Sequence, residues 1–153
     1  MSFGLQQIVE KIRTTLVVDL TAGVGAVARS IHYMQATANT KVEVGELPFV
    51  IFFPVSLARF DTFTSDGMDQ VWQFNIIDHA DNGILPTDAV MGKLYGNGVP
   101  GTSAPTYGLH RRKLALSTNT MSEMEYLDGG VLFQGDPTAV GMFMQFGVKY
   151  EKG

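Results

Sequence analysis

The chain has 153 residues, of which 45% are hydrophobic and only 17% charged. That length predicts one domain, residues 1–153, able to bury a sizeable core. A net charge of −4 argues against a dedicated nucleic-acid binder, which presents a basic face, and the lack of cysteine excludes disulfides and thiolate metal sites. So few charges point either to subunit contacts or to a well-buried β-rich core.

Leu5, Ile8, Val9, Ile12 and Leu16 recur at helical spacing, with Gln6, Gln7, Glu10, Lys11 and Arg13 between them. This predicts an amphipathic helix over 5–16 with Ser2 as its N-cap. The same interruption of apolar residues by charge argues against a secretory signal. Gly23 and Gly25 end the pattern, and Arg29 to Gln35 is a candidate first strand.

Two runs in the middle of the chain are strongly β-like: Leu47 to Pro54 and Val71 to Asp78. In the second, Trp72, Phe74 and Ile76 alternate with Gln73 and Asn75, the signature of a half-buried antiparallel strand. Ser65-Asp66-Gly67 supplies turn chemistry between the runs, so a long hairpin arm is expected, with Phe60 and Phe63 near its tip. Exposed aromatics there would be interface candidates. Leu47 to Ala58, the longest apolar stretch, is too short to span a bilayer and contains Pro48 and Pro54, so no membrane contact is expected.

Pro86 to Tyr95 can form a second short helix, with Pro86 in the first turn, Asp88 at the positive end and Gly96 or Gly98 as the stop. Asn97 to Gly108 reads as a loop rich in Gly, Pro, Ser and Thr. Arg111 to Thr118 and Met124 to Gln134 are candidate strands, the second broken at Asp128-Gly129-Gly130. A final strand places Met142, Met144, Phe146, Val148 and Tyr150 on one face. The expected fold is α+β: an antiparallel sheet with the N-terminal amphipathic helix and a second short helix packed on one face, and a long β-hairpin arm.

The sharpest local motif is Val17 to Ala28. It resembles the first motif of S-adenosylmethionine-dependent methyltransferases, a strand ending in Asp-Leu-x-x-Gly-x-Gly. Gly23, Gly25 and Ala28 also fit a dinucleotide turn, with Glu43 or Glu46 near the position of a ribose-binding acid. A Rossmann sheet needs parallel strands joined by crossovers, whereas the middle of this chain reads as antiparallel. The helical pattern over 5–16 also leaves little room for the required strand. The competing reading is a helix end followed by a glycine-bearing turn, so no cofactor is expected.

Asp78-His79-Ala80-Asp81 would present Asp78 and His79 on opposite faces of a strand and cannot jointly grip one ion. No Gly-x-Ser-x-Gly turn is present, and no catalytic residue is nominated. His110-Arg111-Arg112-Lys113 is the basic cluster of the chain. It reads as a solvated strand end, with contact to phosphate or an acidic partner as the alternative.

Taken in order, these parts resemble the tail terminator, or tail completion, family of tailed bacteriophages. The resemblance rests on the N-terminal helix, the Leu47–Phe52 strand, the hairpin returning through Trp72–Ile76, the second helix, Arg111 and Arg112, and the final strand ending Val148–Glu151. It implies a structural virion protein that acts as a homohexameric ring on the head-proximal end of the tail, assembled in the host cytoplasm. Such a ring ends polymerisation of the tail tube protein and joins the tail to a head-neck adaptor or stopper protein. DNA would pass through it without sequence-specific binding, and no bond would be made or broken. Phe60, Phe63, Arg111 and Arg112 are the interface candidates. The alternatives are a small methyltransferase using the Gly23-Gly25 turn and another phage neck or tail adaptor. A parallel sheet with 16–20 as its central strand would favour the enzyme; an antiparallel sheet with 5–16 as a docked helix would favour an assembly protein.

Overall fold

The apolar spacing over 5–16 folds as helix α1, Leu5–Leu16. The computed structural model describes residues 4–23, 25–33, 48–61, 66–98, 105–117, 119–132 and 139–152. Ile8, Ile12 and Leu16 are fully buried, while Leu5 and Val9 pack at the margin of the same cluster. Ser2, the expected cap, lies outside the described residues; the residue preceding the helix is Gly4, at φ 68° and beneath the ring of Tyr150. A β-carbon there would run into that ring and carry the strain of a left-handed backbone, so glycine is required on both counts.

The helix does not end at Leu16. A π-helical turn, Val17–Thr21, continues it, and its wider winding keeps Leu20 in the buried row of Leu16. The Thr21 hydroxyl donates to the Val17 carbonyl at 2.6 Å. The Leu20 carbonyl accepts from the N–H groups of Val27 and Ala28 at 2.8 and 3.0 Å, which turns the chain back toward the sheet.

The sheet has six strands: β1 Ser30–Tyr33, β2 Phe49–Asp61, β3 Asp66–His79, β4 Thr120–Met121, β5 Glu125–Val131 and β6 Ala139–Lys152. Their order is β1-β2-β3-β6-β4, and β5 also pairs with β6. Every pairing is antiparallel except that of β1 with β2, which is parallel. The stretch 34–48 between those two strands is long enough for the crossover that a parallel pair needs. The architecture is α+β with a mixed, mostly antiparallel sheet.

One face of the sheet carries the core. Val50 and Phe52 of β2, Trp72, Phe74 and Ile76 of β3, and Met144, Phe146, Val148 and Tyr150 of β6 are all buried there. Helix α2, Leu85–Tyr95, adds Val90 and Leu94 to the same cluster as α1, so both helices cover this face. Phe52 stacks on Phe74 at 5.7 Å between centroids, and Phe74 meets Phe146 edge-on at 5.5 Å. Such aromatic pairs add about 0.5–1.5 kcal/mol beyond the area they bury. Gln70 is buried among them because it accepts the Trp72 indole N–H at 2.9 Å, which satisfies both polar groups.

Two segments differ from expectation. Of the Arg111 to Thr118 candidate, the described residues 111–117 form no strand. Arg111 sits at φ 66°, which no extended strand can accommodate, and the neighbouring backbone bonds sideways instead, Arg111 N–H to the Met124 carbonyl and Met124 N–H to the Arg112 carbonyl. Described residues of the Met124–Gln134 candidate form β5, and Asp128-Gly129-Gly130 does not break it. A bulge between Tyr126 and Asp128 absorbs one residue and pairing with β6 continues to Val131.

Candidate assembly surface

The arm is built from the far ends of β2, β3 and β6. Up to Pro54, even-numbered residues of β2 face the helices; a bulge between Pro54 and Ser56 then inserts one residue. Because side chains alternate with period two, that insertion exchanges the faces. Ser56, Ala58 and Phe60 therefore lie on the side away from the helices, opposite Val71, Asp69 and Gly67. Phe60 is half-buried: its ring lies over Gly67, where a β-carbon would collide with it, and Lys149 Nζ sits 5.1 Å from its centroid. Lys149 also pairs with Asp69 at 3.1 Å, both largely exposed. Further along the same face, Gln145 donates to Gln73 at 2.9 Å and Gln73 to Asn75 at 2.8 Å. Phe63 and the hairpin tip lie outside the described residues.

The two arginines have different surroundings. Arg111 is half-exposed, 3.7 Å from Glu123. Arg112 is tied inward: its Nη1 donates to Asp19 Oδ2 at 3.0 Å and to the Gly108 carbonyl at 3.3 Å. Asp19 has a side chain only 6% exposed and also accepts the Gly108 N–H at 3.0 Å. Buried carboxylates need such partners, because desolvation without them is costly. Beside this tie, Gly96 and Gly108 pack backbone to backbone at φ 97° and 83°, and Asn97 accepts the Thr106 N–H at 2.9 Å. The tie joins residues 93 positions apart, so no local pattern marks it in the sequence.

The glycine motif lacks the strand that cofactor binding requires, since Val17–Thr21 is helical. Residues 5–16 are a docked helix and the sheet is mostly antiparallel, which removes the support for the methyltransferase alternative. Glu43 and Glu46 lie outside the described residues. Asp78 is buried and its Oδ1 accepts the His79 N–H at 2.8 Å and the Asn82 side-chain amide at 3.0 Å, closing the strand end. Among the described residues no group of three or more His, Asp or Glu converges as metal ligands would, and no helix is long and apolar enough to cross a membrane.

What the described surface does offer is open edge. Beyond Phe52, β2 has no neighbour on its outer side among the described residues, and β5 has none past Tyr126, whose N–H donates to His110 Nδ1 at 3.0 Å. Both stretches carry apolar side chains in solvent: Val55 is 44% exposed, Leu127 50% and Val131 74%. Val18, Ile84 and Leu85 are also exposed, and Leu5, Val9 and Tyr33 line a shallow groove of about 400 Å³ between α1 and β1. Isolated soluble monomers rarely leave apolar edge strands open, because these template association.

No protein-family model matches the chain, and no curated protein matches it. Among solved structures it is similar to a chain in the virion of a native gene transfer agent (GTA) particle. The TM-score is 0.66, with 14% sequence identity, over 94% of this chain and 97% of that one. At that identity the likeness is one of fold, and it runs the length of both chains.

Proposed function

We propose that this protein is a structural component of a phage-like virion, and within it a tail terminator. It assembles as a homohexameric ring on the head-proximal end of the tail tube, ends tube polymerisation by covering the last ring of tube subunits, and offers its other face to the neck. It works by complementary surfaces, with no catalysis and no cofactor. The carrying observation is the end-to-end likeness of fold to a virion chain of a gene transfer agent particle. Open strand edges and exposed apolar side chains support it, since a closed ring covers what a monomer leaves in water.

Two measurements test this. Native mass spectrometry of the purified chain is expected to give a closed oligomer near six subunits, its mass unchanged by S-adenosylmethionine. Added to polymerising tail tube protein, the chain is expected to shorten the tubes and sit at one end by electron microscopy. Binding to isolated neck complexes with no effect on tube length would replace the terminator with a neck adaptor. A monomer that ignores both would overturn the virion reading.

A further inference from the structure

We infer that His110 is an acid-sensitive guard of the sheet edge: its neutral imidazole takes the place of a neighbouring strand at Tyr126 and lets go on protonation. The inference goes beyond the virion reading and does not depend on it. Residues 109–112 run beside the chain as it enters β5. The Arg111 N–H donates to the Met124 carbonyl at 2.6 Å, and the Met124 N–H to the Arg112 carbonyl at 2.8 Å. At φ 66° Arg111 breaks the extended course that a neighbouring strand would need to continue this pairing. The imidazole continues it instead: the Tyr126 N–H donates to His110 Nδ1 at 3.0 Å. A main-chain N–H can only donate, so Nδ1 is the bare ring nitrogen and, in the neutral ring, Nε2 carries the proton. Adding a proton to Nδ1 sets two donors face to face, and the bond is lost.

The other contacts of His110 do not respond in the same way. Its ring stacks on Tyr95 at 4.6 Å between centroids and 20° between planes, and its main-chain N–H donates to the Tyr95 carbonyl at 3.0 Å. A cation over an aromatic face is attracted, so the stack holds in both states and the hydrogen bond reads the proton. The titratable and charged groups nearby are Tyr95 and Lys93 of α2, Tyr126 and Glu125 of β5, and Arg111 and Arg112 on its own segment. Lys93 lies over Tyr107, Arg111 pairs with Glu123 and Arg112 with Asp19. Glu125, opposite Gly147, is on the sheet face away from the helices, whereas Tyr126, opposite Phe146, is on the helix side. Among the described residues no carboxylate pairs with the imidazole to hold a charge there. His110 is half-buried, so solvent protons reach it. Once released, the Tyr126 N–H joins the open edge of β5, and open edges template association. Acid thus lengthens the edge available to another strand.

The Tyr126 amide reports the bond directly. Its hydrogen-exchange protection is followed by nuclear magnetic resonance on the full chain and corrected for the intrinsic effect of pH on exchange. In the parent it is expected to fall about tenfold between about pH 7.5 and about pH 5, the range over which imidazoles take up a proton. His110→Asn offers a carbonyl oxygen where Nδ1 stood and does not titrate, so its Tyr126 protection should stay level over the same range. Equal losses in parent and variant, or no loss in the parent, would overturn the inference. Should His110→Asn fail to fold, a nitrogen-resolved spectrum of the parent imidazole at neutral pH decides. A proton on Nε2, with loss of Tyr126 protection in acid, supports the guard; a proton on Nδ1 removes it.

Discussion

Glycine at 92 and glycine at 108 make opposite predictions from the same chemistry. Gly92 sits in the middle of α2, where an added β-carbon would meet nothing within 4 Å. Gly92→Ala is therefore expected to stabilise the fold by up to about 1 kcal/mol, raising Tm by roughly 2–4 °C. Gly108 is at φ 83° with the backbone of Gly96 against it. Gly108→Ala combines left-handed strain with a backbone collision and is expected to cost about 2–4 kcal/mol in chemical denaturation. Arg112→Ala strips the buried Asp19 carboxylate of its guanidinium partner, leaving it the Gly108 N–H, and should cost about 2 kcal/mol, while Arg111→Ala stays near neutral. Tyr150 titrates in a third way. Burial raises its phenol above the usual 10.0, so the folded state holds the proton more tightly than the unfolded chain does. Its contribution is complete below pH 10 and is lost as pH rises through the raised value. A urea midpoint followed from pH 8 to 11 should fall above pH 10, and fall less in Tyr150→Phe.

At the scale of elements, legibility follows burial. α1 and the alternating halves of β3 and β6 were readable because one face of each is dry and the other wet, and that difference imposes a period on the residues. α2 was readable from its ends, Pro86 in the first turn and Gly96 at φ 97° after the last. The π-turn was not, because the β-branched pair Val17-Val18 suits a strand while Leu20 also continues the four-residue spacing of Ile8, Ile12 and Leu16. Packing against the sheet decided for the helix. The two bulges were equally silent, since one inserted residue leaves composition unchanged and only exchanges faces. Deleting Val55 tests that reading: Ser56 would follow Pro54 directly, the ladder would run without a bulge and Phe60 would keep its place opposite Gly67. The variant is therefore expected to melt within a few degrees of the parent with the arm still protected in amide exchange, whereas a disordered arm would show that Val55 is not the inserted residue.

For the whole molecule, one apolar cluster takes side chains from both helices and from strands at both ends of the chain. Such a core is expected to unfold in one step. Trp72 is the single tryptophan and is fully buried in that cluster, so its fluorescence reports the core directly. Its transition in urea should coincide with the loss of far-ultraviolet circular dichroism; two separate midpoints would divide the chain into independently folding units. The same cluster explains the low charge content, one of whose readings was a well-buried β-rich core. The other reading, subunit contact, is supported by the exposed side chains of Val55, Leu127 and Val131 on open edges.

By itself the sequence determined the α+β class, α1, the central hairpin strands, the last strand and the placement of both helices on one face. Each of these rests on local periodicity and on burial, which a chain writes into neighbouring residues. Tertiary structure alone decided the parallel docking of β1, the fate of Val17–Thr21 as helix, the left-handed turn at Arg111 and the Asp19–Arg112–Gly108 tie. These depend on groups that meet in space from distant positions, and a carboxylate at 19 has no local reason to announce a guanidinium at 112. Of the interface candidates, Phe60, Arg111 and Arg112 took up partners within the chain, and the open edges of β2 beyond Phe52 and β5 past Tyr126 emerged only once the strand order was known. Which edge of a sheet is left bare is a property of its topology, and no single strand carries that information.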